Sequence, residues 1–498
     1  MFRKDSLTEN ETAKVRKLIS KETDFWNWYL WILQEARIID TSYSVKGSFV
    51  WLDWGYRLFE KLYSFAKTAY RESGHLQMQF PTLIKEDTFL KETDFIRNFE
   101  NDVFWVDREG HKSLAIGERL ALRPTSELII YPMFAKWIKS WRDLPLKVFQ
   151  NVSIFRCETN ETRPLIRNRE TIGFIEGHSA FQTKKEALAF LKIVWQSYQS
   201  LFEKLGIPII MVDVPIWDRF AGSTKTVDGY VILPGGKSME LFTTAYLGTT
   251  FSEIFRLQFM DKNKAIRKVH LLCYGPSIDR ILASLIAIYG DDHGLCLLPE
   301  ITPIEIMIVP IFNQNNKNEI LDYAYKIKSQ LTKLHFSIEI NDDENSSPGT
   351  KFYETEKFGY PLRVELGIKE LQNQTLTVTR RDTLEKMNFN LHDTNLKDLL
   401  RNILSQISLA LKKQALSVFN NNILNSTEYK SLSSFLSNRT LSKDKMYLIG
   451  WCGNLDCCQK IEEETNFTLL GYKFNESKQC KCLNCNKEGK IAVLAKRY

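Results

Sequence analysis

Three long runs return an apolar residue every three or four positions: FWNWYLWILQEARI (25–38), WGYRLFEKLYSFAKTAY (54–70) and EALAFLKIVWQSYQSLFEKLG (186–206). Among them stand short β-branched stretches with turn residues beside them, MQFPTLI, KVFQNVSIFR and IIMVDVPI. The first pattern has the period of an amphipathic helix and the second that of a strand. Their mixture predicts an α+β domain of about 300 residues on a mainly antiparallel sheet. From EIMIVPIF (305–312) onward, strand, helix (LDYAYKIKSQLTKLH), strand (FSIEIND), helix and strand (PLRVELG) alternate as in a small α/β domain. LKDLLRNILSQISLALKKQAL (396–416) reads as a long amphipathic linker helix before a cysteine-rich tail. The expected domains are 1–304, 305–402 and 403–498, since 498 residues exceed what one core accommodates.

Apolar residues make up 44% of the chain, ample for such cores, and the net charge of +7 suits a polyanionic partner only if the charge is focused. The amino terminus, MFRKDSLTENETAKVRKL, lacks the apolar core of a secretory signal. The longest apolar run, ILASLIAIYG (281–290), is about half of what a bilayer span needs. Both point to a cytoplasmic protein without a membrane segment. Of the nine cysteines, Cys157, Cys273 and Cys296 are scattered and the others crowd into the last fifty residues, which in a reducing compartment argues for metal before disulfides.

The stretch FRCETNETRPLIRNRE (155–170) holds Arg156, Arg163, Arg167 and Arg169 with Glu158, Glu161 and Glu170. On a strand, Arg156 and Glu158 share a face. An arginine grips phosphate bidentately and a carboxylate accepts from an adenine amino group, so the pair suits ATP. Alone, the segment reads as a solvated charged hairpin. Further on, CYGPSIDRILASLIAIYGDDHGLCLLPE (273–300) sets Arg280 after a glycine turn at the head of an apolar helix; upstream, GHLQMQFPTLI (74–84) is a strand ending in Pro81, suited to an edge or a subunit contact.

Three such pieces in this order resemble the class II aminoacyl-tRNA synthetase motifs 1 (Pro81), 2 (Arg156, Glu158) and 3 (Arg280). With LRPTSE (122–127), TRPLIRNRE, FIEGHSAF (174–181) and YGDDHGLCLLP the chain resembles prolyl-tRNA synthetases of the archaeal and eukaryotic type, from about Lys21 to Tyr498. The resemblance implies a ligase of protein biosynthesis, a homodimer that uses ATP, Mg²⁺ and proline, charges tRNA, and binds neither DNA nor membrane. It further implies that Thr125 and Glu127 hold the substrate amino group, although a helix N-cap is the plainer reading of that pair. Arg156 would bridge the substrate carboxylate and the α-phosphate, Glu158, Arg167 and Asn168 would contact the nucleotide, Arg280 its γ-phosphate end, and Phe174 and His178 would line the ring pocket.

One segment departs. Where the family reads approximately L-Q-x-x-T-S-H-x-L-G, this chain has MELFTTAYLG (239–248): Thr243 remains, Glu240 replaces glutamine near the nucleotide, and Ala245 replaces histidine near the substrate. A carboxylate adds charge beside phosphates, and a methyl opens volume. Either neighbours compensate in an ordinary prolyl enzyme, or the pocket takes another amino acid or has fallen silent as a tRNA-binding homologue. Only about a hundred residues separate motifs 2 and 3, too few for a large editing insertion.

Toward the carboxyl end, SSPGTKFYETEKFGYPLRVELG (346–367) and LTVTRRDT (376–383) resemble the group's anticodon-binding domain, where Glu365, Arg380 and Arg381 either read RNA or form a structural charge cluster. In the tail, Cys452-x4-Cys457 and Cys482-x2-Cys485 can converge on a structural Zn²⁺ held by four thiolates, with Cys480 an alternative to Cys482 and Cys458 an extra. This predicts a small zinc-binding α+β domain.

Overall fold

A computed structural model describes residues 20–90, 103–158, 161–429, 431–437 and 442–498. The amino-terminal stretch read for a secretory signal lies outside the described residues. The chain forms two compact units, one of Met1–Thr41, Val50–Lys61 and Leu285–Val418, the other of Ser42–Phe49, Leu62–Ser284 and Phe419–Tyr498.

The second unit is built on a twelve-stranded sheet. Its strands in chain order are β1 (Leu76–Gln77), β2 (Leu146–Phe155), β3 (Glu170–Phe181), β4 (Ile210–Asp213), β5 (Lys225–Ile232), β6 (Lys237–Gly248), β7 (His270–Pro276), β8 (Ile423–Asn425), β9 (Met446–Trp451), β10 (Thr468–Lys473), β11 (Gln479–Lys481) and β12 (Glu488–Arg497). They lie in the order β8-β9-β12-β10-β4-β5-β6-β7-β3-β2-β1, with β11 against β12. The ladder is antiparallel except at β1–β2, β6–β12 and β8–β9, so the sheet is mixed. Residues of the expected carboxyl-terminal domain continue this sheet: β10 pairs with β4 through Val212↔Lys473 and Asp213↔Tyr472. The pairing covers an edge that would otherwise present unpaired N–H and C=O groups.

Helices cover both faces. Glu127–Trp137 lays Leu128, Ile130, Tyr131 and Phe134 on Ala180, Ala245, Leu247 and Leu271. On the other face Lys184–Lys204, opened by a Thr183/Glu186 capping box, buries its 3.6-period stripe and sets Tyr198 and Phe202 against Phe242. Each such fully buried side chain contributes about 1.5–3 kcal/mol. Tyr70 stacks there on Phe149 and Tyr274, at 4.9 and 6.2 Å between ring centroids.

The segment expected as one strand ending at Pro81 is broken in two. β1 pairs with β2, whereas Leu83–Lys85 pairs with Leu120–Leu122 in a separate small sheet. Pro81, with no N–H to donate, sits at the break. Buried Arg123 fastens it, donating to the carbonyls of Phe80, Pro81 and Ser153 at 2.8, 3.0 and 3.0 Å.

In the first unit a five-stranded sheet runs Ile338–Ile340, Ile306–Pro310, Leu362–Leu366, Thr375–Arg380, Lys386–Asn390. The first three strands are parallel and the rest antiparallel. Helix Lys317–Lys333 and helix Pro348–Phe358 connect the parallel strands, and Leu396–Asn421 buries Leu400, Leu404, Ile407 and Leu411. Here the charge cluster is internally paired. Arg381 is buried and clamps Asp291 with bonds of 2.8 and 2.5 Å, Arg380 pairs with Asp382, and Glu365 accepts from Arg363, Thr379 and Lys386. Those three make their ion pairs inside the fold. Among the described residues no helix is long and apolar enough to cross a membrane.

Candidate active site

A cavity of about 260 Å³ opens over β2, β3, β5, β6 and β7 within the second unit. Thr125, Glu127, Arg156, Glu158, Arg167, Asn168, Phe174, Glu240, Thr243, Ala245 and Arg280 all line it, so segments up to 155 positions apart in sequence (280 − 125) meet at one place. His178 does not. It is wholly buried, bonded to the Tyr131 hydroxyl (3.1 Å) and Glu176 (3.3 Å), and the lining position on its strand is taken by Glu176.

At the floor, the Thr125 hydroxyl and the Cys273 thiol both donate to Glu127, the thiol at 2.8 Å. Burial, then the Glu127 carboxylate, push the thiol pKa well up, which keeps it a neutral donor. No helix cap forms here: the Ser126 side chain, at the N-cap position of Glu127–Trp137, donates instead to Glu176. Gln150 also donates to Glu176, at 2.9 Å. Burial works against that carboxylate's charge, but the bonds from His178, Ser126 and Gln150 and the imidazole's field win and hold its pKa below the usual value.

The arginine-rich hairpin differs from the expected strand. β2 stops at Phe155, and Arg156 and Glu158 stand just past its end, in a tight turn where the Glu158 N–H donates to the Arg156 carbonyl at 2.7 Å. Both still reach the cavity, Arg156 with its Nε on the Pro124 carbonyl (3.3 Å) and Glu158 paired with Arg167 (2.8 Å). Arg169 turns elsewhere, donating to the Cys157 sulfur at 2.9 Å.

A β-bulge aims Glu240. On a regular strand Glu240 and Thr243 lie on opposite faces, but the β5–β6 register shifts between Gly229 and Tyr230. Glu240 is thereby turned to the side of Thr243, whose hydroxyl donates to it at 3.2 Å. Gly229 makes room at the bulge: a Cβ there would approach the Phe242 ring to 2.1 Å.

Asp279 was not expected and holds two of these pieces together. It accepts from the Gly173 N–H (3.0 Å) and Asn168 Nδ2 (2.9 Å), while Asn168 Oδ1 takes the Leu165 N–H (2.9 Å). Arg280 adds Nε to the Ile166 carbonyl and Nη1 to the Glu240 carbonyl, at 3.1 and 2.9 Å. Burial pushes the Asp279 carboxyl up to about 7 despite those two donors and the Arg280 charge. An unfolded aspartate titrates near about 3.9, so between about pH 4 and pH 7 the native state binds the extra proton and this group's contribution to stability falls as pH rises. The stability advantage of wild type over Asp279→Asn is expected to shrink across that window and level off above it. Thermal melts from pH 4.5 to 7.5 check this; an advantage that stays constant or grows contradicts it.

Profiles of three protein families match the chain: the tRNA synthetase class II core domain (G, H, P, S and T) over residues 104–289, the anticodon binding domain over 305–403, and the prolyl-tRNA synthetase C-terminal domain over 437–498. A proline–tRNA ligase of Methanopyrus kandleri is 38% identical over 478 residues, 95% of this chain and 96% of its relative. The chain belongs to the prolyl-tRNA synthetase family. A Thermofilum pendens proline–tRNA ligase is 36% identical over 96% of this chain and 98% of its own. Among solved structures, a Giardia lamblia prolyl-tRNA synthetase in complex with prolyl-adenylate superposes with a TM-score of 0.89 at 30% identity, covering 96% of this chain and 99% of that one. A Cryptosporidium parvum prolyl-tRNA synthetase complexed with halofuginone and AMPPNP gives 0.88 at 28% identity, covering 96% of both chains.

In this synthetase the thiols of Cys452, Cys457, Cys482 and Cys485 also converge, each sulfur within 4.8 Å of the others and Cys452 and Cys485 at 3.7 Å. A tetrahedral Zn²⁺ with bonds of about 2.3 Å sets its sulfurs about 3.8 Å apart, so the four fit one ion. Cys482, not Cys480, belongs to the group, and Cys458 is buried in the neighbouring apolar core. Sequence reasoning missed Asp218, Asp228 and Arg497, which also line the cavity. Asp218 stands on the loop between β4 and β5, Asp228 on β5 and Arg497 at the end of β12, so they reach the site from distant segments.

Proposed function

We propose that this synthetase is a proline–tRNA ligase, joining proline and ATP to prolyl-adenylate and pyrophosphate and passing the prolyl group to tRNA. The observation that carries the reading is the convergence of Arg156 and Arg280 with Thr125 and Glu127 in one cavity. Glu127 and Thr125 take the ammonium group of proline, and Phe174 covers the ring. A proline carboxylate oxygen attacks the α-phosphorus, the bond to the β-phosphate oxygen breaks, and pyrophosphate leaves with the electron pair. Charge builds on phosphoryl oxygens, where Arg156 stabilises it; Arg280 holds the far end of the triphosphate, and no covalent nucleophile is needed. Glu158, Arg167 and Asn168 orient the base and ribose. The terminal ribose hydroxyl of tRNA then attacks the adenylate carbonyl, AMP leaves, and the hydroxyl proton passes to solvent.

Asp228, whose buried Oδ1 has no hydrogen-bond partner, would help hold Mg²⁺, which when bound would offset phosphate charge. The Cys452, Cys457, Cys482 and Cys485 thiolates would hold Zn²⁺ in a structural role, four protein ligands leaving no open position. A cytoplasmic homodimer completes the reading; exposed Leu76 (57%) and Leu83 (48%), on either side of Pro81, favour a partner surface there.

The Ala245 departure fits a prolyl pocket. Cys273 is its cross-strand partner, so a thiol bound to Glu127 stands beside the small methyl. Amino-acid-dependent exchange of pyrophosphate into ATP, run over all twenty amino acids, tests the proposal. Exchange with proline alone is expected; exchange with another amino acid, or with none, overturns it.

A further inference from the structure

The last residues of the chain reach the nucleotide end of the cavity. β12 closes parallel to the start of β6, with Lys237↔Lys496 and Ser238↔Arg497 in register. The Ser238 hydroxyl donates to the Lys496 carbonyl (2.7 Å), and the Tyr498 N–H donates to the Ser238 carbonyl (3.2 Å). Arg497 is therefore anchored on both sides, two positions in register from Glu240.

Its guanidinium stands among acids. Nη1 lies 3.3 Å from Asp218 Oδ2 and Nη2 lies 3.6 Å from Glu240 Oε2. Glu240 itself is shared, for Arg280 Nη1 lies 3.5 Å from its Oε1. Asp228, buried beside them with Oδ1 unpartnered, has its carboxyl pushed well up by burial and next by the Glu240 charge, while Arg497 pulls it down. Glu240 thus lies between two arginines. A triphosphate needs one of them.

We propose that Arg497 is a positioning residue for the nucleotide: it holds Glu240 as a fixed counter-ion, so that Arg280 can leave that carboxylate for the triphosphate. This rests on reading the cavity as the ATP site. Without Arg497 two things change together. Glu240 keeps Arg280 as its remaining cationic partner, and an uncompensated negative charge faces the polyphosphate. Glu240, the acid standing where the family resemblance expects glutamine, therefore works with a cation brought from the far end of the chain.

The test measures the affinity of the full-length protein for a non-hydrolysable ATP analogue with Mg²⁺ by titration calorimetry, beside the KM values of proline-dependent exchange. For a half-exposed ion pair whose loss also engages Arg280, Arg497→Met is expected to weaken analogue binding and raise KM for ATP about tenfold, with KM for proline changed less than about twofold. Arg497→Lys should recover part of the affinity. Adding Glu240→Gln to Arg497→Met should restore several-fold of the loss, which a general loosening of the carboxyl terminus would not do; thermal melts report any such loosening. Unchanged nucleotide affinity in Arg497→Met, an equal rise in both KM values, or a defect that Glu240→Gln leaves undiminished overturns the proposal. If wild type binds the analogue but shows no proline-dependent exchange, the prolyl reading fails, and the calorimetric comparison alone decides the role of Arg497.

Discussion

Arg156→Ala is expected to slow adenylate formation by about 10²–10³-fold, the usual cost of deleting one preorganised donor to a transition-state charge. The side chain is half-buried at the mouth of the hairpin, and its Nε bond to the Pro124 carbonyl sets the guanidinium over the cavity. Negative charge on the α-phosphoryl oxygens grows only as the proline carboxylate attacks, so the loss should fall mainly on kcat and less on KM for either substrate. Arg156→Lys should recover little, because a point charge cannot reproduce a planar fork bridging carboxylate and phosphate. Single-turnover formation of the adenylate separates this from product release. A loss under about fivefold, or one confined to KM, would place the arginine outside the chemistry.

The second large effect concerns the tail. Cys457→Ser is expected to abolish stoichiometric zinc, measured as metal per chain, and to lower the melting temperature. In the smallest zinc domains the ion supplies on the order of 10 kcal/mol of folding free energy. Here a core of Trp451, Ile461, Leu469 and Leu494 backs the thiols, so part of that stability survives without metal. The consequence is not confined to the tail. β9, β10 and β12 belong to the sheet that carries the cavity, and Arg497 is the last residue of β12. Chelation should therefore reduce nucleotide affinity as well as stability. Purified protein with no bound zinc and an unaltered melt in Cys457→Ser would show that the four thiols are only a packed cluster.

Much of the site was legible in short local segments. The residue types around Arg156 and Glu158 suit phosphate and adenine, the roles of Thr125, Glu127 and Arg280 followed only from the family resemblance, and the fold brings all five to one cavity. What stayed hidden depends on non-local geometry. Alternation along a strand puts Glu240 away from Thr243, and only the bulge opposite Gly229 reverses this. His178 lies on the face of β3 toward the cavity, yet Tyr131, delivered by a helix forty-seven positions earlier, covers it. The β4–β10 pairing joins segments more than two hundred residues apart and has no local signature. The fate of Arg381 turned on Asp291, ninety positions upstream, which buries the guanidinium in a bidentate clamp.

A crystal structure of the full-length chain with proline and a non-hydrolysable ATP analogue is the most direct measurement. It should show a bent triphosphate with the side chains of Arg156 and Arg280 both bonded to its phosphate oxygens and the proline nitrogen against Glu127. Nucleotide density elsewhere on the surface, or one of those two guanidiniums left without a phosphate contact, would contradict the account.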